Sequence, residues 1–299
     1  MCALFEFIAR PLGFILNVIY NTVAFHNYGL AIIIFTLLIR ILLLPLSIKQ
    51  YRSTAKMQEI QPQIQDIQRK YKNNKEKMNQ EIINLYQEND INPGGACLPM
   101  LVQMPILISL YWVIQSPLRY MFGKTDTVIR QLFDAIPADA VEKLVRLPDI
   151  SIINYFTNHS DQLSNVAGLL SREELIDLNF LKIFNLGLVP TASFEKLFGP
   201  LSYQYLPLLF IPILAALATF LSIRYSTPRT GQNNSSGPSD SVTKSVQSTM
   251  YIMPAITGFV AFSVPAGLGL YWIISSLLQV LQQMYMNKFI IKKKEELDR

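Results

Sequence analysis

Charged side chains are scarce in this chain. Only 16% of its 299 residues are Asp, Glu, Lys or Arg, and 51% are hydrophobic, whereas a soluble domain usually carries about 25% charged residues. With a mean hydropathy of +0.27, the shortage argues against a disordered chain and against an ordinary cytosolic enzyme. Cysteine and histidine are almost absent: Cys2, Cys97, His26 and His159 are all there are. Two cysteines make no disulfide framework, and two distant histidines make no zinc site. No Ser/His/Asp, Cys/His or paired-carboxylate set falls in or near the apolar runs. Neither a cofactor nor an enzymatic activity is expected.

What the chain does have is long apolar runs. Residues 28–48, 98–118, 206–224, 249–264 and 266–286 read as five transmembrane helices, given that about 20 apolar residues cross a bilayer core. The fourth is short, and Pro265 and Gly267 mark a tight turn before the fifth. Pro45, Pro105, Pro212 and Pro254 lie inside the runs, where neighbouring helices re-satisfy freed carbonyls. The fold class expected is therefore an all-α polytopic membrane protein.

Charge orients it. Residues 49–97, the loop 225–248 and the tail 287–299, with Arg224 at the end of the third run, hold sixteen basic residues against ten acidic ones. The opposite side, residues 1–27 and 119–205, holds nine against eleven. Basic residues in short loops mark the cytoplasm, so the N-terminus is expected outside and the C-terminus inside. Residues 1–27 read as an amphipathic helix in the outer interface, because Phe5, Ile8, Leu12, Ile15 and Ile19 recur at helical spacing. No cleavage motif follows it, and Cys2 reads as an ordinary thiol rather than a lipid anchor.

Residues 49–97 carry two matched stripes. Met57, Ile60, Ile64, Ile67 and Tyr71 form the first, and Met78, Ile82, Leu85 and Tyr86 the second. Two amphipathic helices covering each other's stripe make a helical hairpin, with Pro62 bending or interrupting the first; a solvated linker is the alternative. Arg69, Lys70, Lys72, Lys75 and Lys77 fall near its tip as candidate contact residues. In the outer segment, 119–205, Pro137 is expected to open a short helix to Leu147. Ser171 and Glu174 form a capping-box pattern. The loop 225–248 is Gly-, Pro-, Ser- and Asn-rich, hence flexible, and 287–299 is a basic tail.

Apart from Arg224 at the very end of the third run, Arg40 is the one charge inside any expected span. An arginine about 13 Å from the inner interface costs at least about 2.5–3.5 kcal/mol and by default marks a hydrated cavity or functional site. No Asp or Glu occurs in the spans to pair with it. Thr36 shares its face one turn earlier. Gln103 in the second run, and Trp272, Ser275, Ser276, Gln279, Gln282 and Gln283 in the fifth, supply further polar groups. Together they suggest a polar groove open to the cytoplasm. Snorkelling recovers part of the cost of Arg40; the alternatives are a small transporter using Arg40 as an anion site, or a structural scaffold, which leaves Arg40 unexplained. No inverted repeat or paired broken spans favour the transporter.

The same places resemble the YidC-type membrane protein insertases, relatives of the mitochondrial oxidase-assembly and thylakoid insertases. The resemblance is carried by Ile34 to Pro45, Gln50 to Met57, Leu85-Tyr86, Asn92 to Gly95, Leu101 to Pro105, Pro265 to Trp272 and Gln282-Gln283. It implies an insertase and chaperone of the bacterial plasma membrane, in the compact form of single-membrane bacteria. Its partners would be nascent membrane proteins, membrane lipids, the ribosome, the signal recognition machinery and the Sec translocon, with no nucleic-acid sequence read. The groove positions implied are Thr36, Arg40, Gln103 and Trp272, and Ser275, Ser276 and Gln279 join them from the polar stripe. The outer segment is longer than the compact form usually carries.

Overall fold

A computed structural model describes residues 3–91, 98–140, 147–191, 193–200, 202–226 and 240–288. Among them the chain is overwhelmingly helical. Helix α1 (Ala3–Thr22) leads into α2 (Tyr28–Leu42) and α3 (Leu44–Glu59), followed by α4 (Gln61–Lys70), α5 (Lys75–Glu88) and α6 (Leu98–Gln115). The outer segment adds α7 (Pro117–Tyr120), α8 (Asp126–Asp134) and α9 (Pro148–Asn158), a small hairpin of β1 (Asn179–Phe180) and β2 (Phe184–Asn185), and α10 (Phe194–Phe198). Then come α11 (Ser202–Tyr205), α12 (Phe210–Ser226), α13 (Asp240–Ala261) and α14 (Ala266–Met286). A turn at residues 207–209 joins α11 to α12, so Ser202–Ser226 runs as one apolar helix of 25 residues.

Among the described residues, Ser202–Ser226 is the single unbroken helix long and apolar enough to cross a membrane. The bent pair α2–α3 passes only when its halves are taken together. α6 and α13 contribute shorter apolar stretches, Met104–Gln115 and Tyr251–Ala261. α14 is 21 residues long but diluted by the serines and glutamines of its polar face.

The helix expected over 28–48 breaks at Leu43, and the two halves meet at 59°. Pro45 is the physical reason. It has no N–H to return to the Ile41 carbonyl, and it disfavours helical geometry at the residue before it. Residues 44–48 therefore belong to the same helix as the start of the polar segment.

One core gathers α1, α2, α6, the outer segment and the first half of α14. α1 approaches α6 and α7 closely: the Ser109 hydroxyl donates to the Phe5 carbonyl at 3.2 Å. A Cβ on Gly13 would lie 2.4 Å from the Tyr120 carbonyl oxygen, so only glycine permits that crossing. The buried line of α1, Ala9, Leu12, Leu16, Ile19 and Tyr20, is turned slightly from the expected stripe. Phe7, Phe14 and Val18 on the far side are exposed.

A second, small core lies in the hairpin. Ile60, Ile64, Leu85 and Ile91 are buried, with Met57, Ile67, Ile82 and Tyr86 packed on them. Pro62 falls in the first turn of α4, where its missing N–H costs nothing; the break precedes it, between Glu59 and Gln61. Asn74 caps α5 by accepting from the Lys77 N–H at 3.0 Å.

The outer segment differs from its sequence reading in detail. Pro137 opens a turn closed by the Ala140 N–H on the Pro137 carbonyl. Residues 141–146 of the expected helix lie outside the described residues, and the helix observed next begins at Pro148. Ser171 and Glu174 do form a capping box, but on a single 3₁₀ turn, Arg172–Glu174. Lys124 ties that turn down, 2.7 Å from Glu174 Oε1 and 2.8 Å from the Leu169 carbonyl.

Candidate groove around Arg40

Asn27 starts α2 by accepting from the Leu30 N–H at 2.9 Å. The helix then buries Tyr28, Gly29, Ala31, Ile32, Phe35, Thr36 and Ile39. Arg40 comes one residue after this buried face ends, against α14. Its Nη2 donates to the Ser275 carbonyl at 2.8 Å and the Ser275 hydroxyl at 2.7 Å, with Gln279 Oε1 at 3.4 Å. The arginine, read from sequence as partnerless, thus has neutral partners. All three contacts use one nitrogen. Ser275 lies nine residues after the start of α14 and eleven before its end at Met286, so the guanidinium sits about 14 Å from one end of that helix and about 16 Å from the other.

Ser275 is buried, while Trp272, Ser276 and Gln279 are half-buried on the same face of α14. The next turn adds Gln282, whose Nε2 is buried without a partner among the described residues. Thr36 is 1% exposed and donates its hydroxyl to the Ile32 carbonyl at 2.6 Å, so it offers no free donor. Gln103 belongs to α6, and the place of its side chain lies outside the described residues. The structure thus unites Arg40, Ser275 and Gln279 directly. Sequence reasoning alone could not identify the Ser275 main-chain oxygen as one of the acceptors, because a carbonyl carries no residue identity.

The two ends of this site differ. At the end where α2 and α14 begin, the β1–β2 strap lies across the starts of the two helices. The Leu186 and Leu188 carbonyls accept the Gly267 and Ala266 N–H groups of α14, both at 2.8 Å. The Asp177 carbonyl accepts the Tyr28 N–H of α2 at 3.3 Å, and the Asp177 N–H donates to the Tyr20 hydroxyl at 3.1 Å. Helix starts carry N–H groups with no intrahelical partner, and the strap satisfies them. Gly29 admits it: a Cβ there would fall 2.2 Å from Phe180 Cδ2. Gly267 likewise sits against Ile114 of α6 and Ile32 of α2.

Below the strap, Asp149 is buried at the start of α9 and accepts the Arg119 N–H at 3.1 Å. Burial raises its carboxyl to about 6, and the backbone N–H bonds from Arg119 and Leu118 hold it from rising further. Two polar atoms on this side, Tyr28 Oη and Asn154 Nδ2, are buried without partners among the described residues.

The opposite end is looser. After the bend at Leu43, α3 leaves the line of α2, and its Tyr51 hydroxyl hydrogen-bonds Asn287 Oδ1 just past the end of α14. The hairpin candidates Arg69, Lys70, Lys72, Lys75 and Lys77 are all exposed. Lys70 and Lys77 hold their ammonium groups 5.3 and 5.4 Å from the Tyr71 ring centroid, and Arg69 lies 3.8 Å from Asp66. The Tyr71 ring therefore gathers a basic tip. No group of three His, Cys, Asp or Glu able to hold a metal occurs among the described residues.

Comparison with known proteins shows what the chain is similar to. The family model described as 60Kd inner membrane protein matches residues 18–294. A membrane protein insertase YidC of Oceanobacillus iheyensis is 31% identical over 273 residues, covering 90% of this chain and 78% of that protein. The YidC of Fusobacterium nucleatum is 28% identical, covering 96% of this chain and 98% of its own length. The Treponema denticola YidC is 30% identical over 95% of this chain but only 38% of its own length, so relatives differ in how much they add to the shared part. With its helical architecture, its apolar exterior and a match spanning nearly the whole sequence, the chain belongs to the YidC family of membrane protein insertases, bacterial membrane proteins that act on client membrane proteins and are not enzymes.

Proposed function

We propose that the chain inserts hydrophobic client segments through a polar groove bordered by α2, α6 and α14, open toward the cytoplasm, with Arg40 midway along it. The observation that carries the reading is the Arg40 guanidinium, held at mid-depth by neutral groups through one nitrogen. Among the described residues no carboxylate compensates its charge, which is available to an anionic group on a passing client. The strap over the outer ends of α2 and α14 and the bend at Leu43 support closure outside and opening inside. Thr36, Gln103, Trp272, Ser275, Ser276 and Gln279 complete the proposed lining. The protein acts alone or beside the Sec channel, and the exposed basic hairpin tip is the proposed contact for the ribosome or the signal recognition machinery.

In this reading the spans are five: the bent α2–α3 pair, α6, Ser202–Ser226, α13 and α14. Lipid contact is supported by one exposed stripe, Tyr203, Leu206, Phe210, Ile213, Leu214, Leu217, Leu221 and Tyr225. Its terminal tyrosines lie 22 residues apart, about 33 Å along a helix, close to the ~30 Å hydrocarbon core. Tyrosines at both ends of a span are what interfacial anchoring favours. The face of α1 bearing Phe7, Phe14 and Val18 is proposed to rest in the outer interface.

Two experiments test the proposal. For orientation, Asn158→Cys should react with a membrane-impermeant thiol reagent on intact cells while Cys97 is spared; labelling of Cys97 alone reverses the topology. For function, the purified chain in liposomes should insert a single-span client without other proteins. Solute flux across those liposomes without client insertion would favour the transporter instead.

A further inference from the structure

The outer segment carries a feature the insertion mechanism does not use. Helix α10 is one turn and a half long, yet it leaves two phenylalanines in the open. Phe194 is 77% exposed and Phe198 69%. Their rings lie 4.7 Å apart, tilted by 36°, one helical turn from each other, so they form a single apolar ridge. Between them in sequence, Lys196 turns the other way and sets its ammonium 5.1 Å from the Tyr205 ring centroid. Tyr205 is in the first turn of the Ser202–Ser226 helix. The Ser202 N–H also bonds the Gly199 carbonyl at 3.0 Å, and the Gly199 N–H the Glu195 carbonyl at 2.9 Å. The ridge is thereby pinned beside the outer end of that helix.

Continuity decides what covers the ridge. The lipid-facing stripe of the Ser202–Ser226 helix begins at Tyr203, 69% exposed, a few residues after Phe198. Five residue steps of extended chain span at most about 18 Å, so Phe198 cannot stand far from the level at which that stripe enters the bilayer. The geometry points to α10 as an interfacial anchor. Phe194 and Phe198 enter the boundary between headgroups and acyl chains of the outer leaflet, and Lys196 lies at the height of the lipid phosphates. Short amphipathic elements of this composition bury their apolar face about 5–10 Å into that boundary, and an aromatic–cation pair such as Tyr205–Lys196 suits a site that is apolar on one side and wet on the other. The anchor holds the C-terminal end of the outer segment on the membrane, just after the strap that covers α2 and α14.

The test uses the full chain with C2S and C97S, reconstituted in phosphatidylcholine–phosphatidylglycerol vesicles and carrying one nitroxide label at position 194, 198, 161 or 217. Labels at 194 and 198 should collide with oxygen several-fold more than with a water-soluble nickel chelate, as at 217 on the lipid-facing stripe, and opposite to 161. Nickel accessibility at 194 and 198 equal to that at 161 overturns the proposal. So does protection from both reagents with spin–spin broadening, which would mean a second copy covers the ridge. In the same vesicles Lys196→Glu should shift the label at 194 toward water; an unchanged depth overturns the phosphate contact. The inference depends on Ser202–Ser226 lying in lipid and not on the groove. Water access at 217 would sink its premise, while a loss of client insertion alone would leave it standing.

Discussion

Arg40→Ala is expected to lower insertion of clients with acidic outward-going tails by about tenfold, and that of neutral-tailed clients far less. A carboxylate leaving water carries a desolvation cost. Two opposite unit charges about 6 Å apart at an effective dielectric near 20 attract by about 3 kcal/mol, roughly a hundredfold in population if fully realised. The bound state has to stay weak enough to release the tail, so about half of that is the useful share. Ser275 and Gln279 bear on the argument because they hold the guanidinium without neutralising it. A carboxylate in their place would cancel the field a client meets. Attraction of this kind needs a point charge and not a bidentate fork, so Arg40→Lys should retain most insertion. The measurement is an insertion assay on paired clients differing only in tail Asp and Glu, with the abundance of each variant checked. Equal insertion of the acidic-tailed client by Arg40→Ala and wild type would return Arg40 to a structural role.

Reversing Lys70, Lys72, Lys75 and Lys77 together to Glu should reduce insertion of ribosome-delivered clients several-fold while the protein remains folded. All four side chains are exposed, and the hairpin core of Ile60, Ile64, Leu85 and Ile91 is untouched. The local cost is confined to the two ammonium contacts on Tyr71, about 0.5–1 kcal/mol each at an exposed site. The remaining consequence is a change in the field offered to an anionic partner, and that field is screened beyond about 8 Å at physiological salt. The wild-type advantage should therefore shrink as salt is raised. Unchanged insertion at normal abundance would remove these charges from the mechanism.

How far the site could be read from sequence differs residue by residue. The hairpin stripes were legible because mutual burial enforces helical spacing on Ile60, Ile64, Ile67, Ile82 and Leu85. Arg40 was legible because a charge in an apolar run is costly. The bend at Leu43 was hidden because apolar residues continue through Leu44 and Leu46 on both sides of it; Pro45 was the available signal. The strap over the starts of α2 and α14 was hidden for a different reason. Its contacts are main-chain carbonyls of Leu186, Leu188 and Asp177, which any residue type supplies. The strap's turn gave no warning either. Leu181 and Lys182 both adopt positive φ, 54° and 58°, where Asn-Gly would be the usual signature of such a turn. Gly29 and Gly267 were visible as glycines, but their reason, the close passage of Phe180 and of Ile114, is tertiary.

The central claim is that a client segment travels along the Arg40 face of α14. A photoreactive residue placed at Ser276, half-buried on that face, tests it against one placed at Phe259 of α13, which is 75% exposed and faces outward. With a ribosome-bound single-span client stalled part-way through insertion, position 276 should cross-link to the client's hydrophobic segment and position 259 should not. Cross-links from 259 with none from 276, at equal abundance of the two variants, would contradict the account.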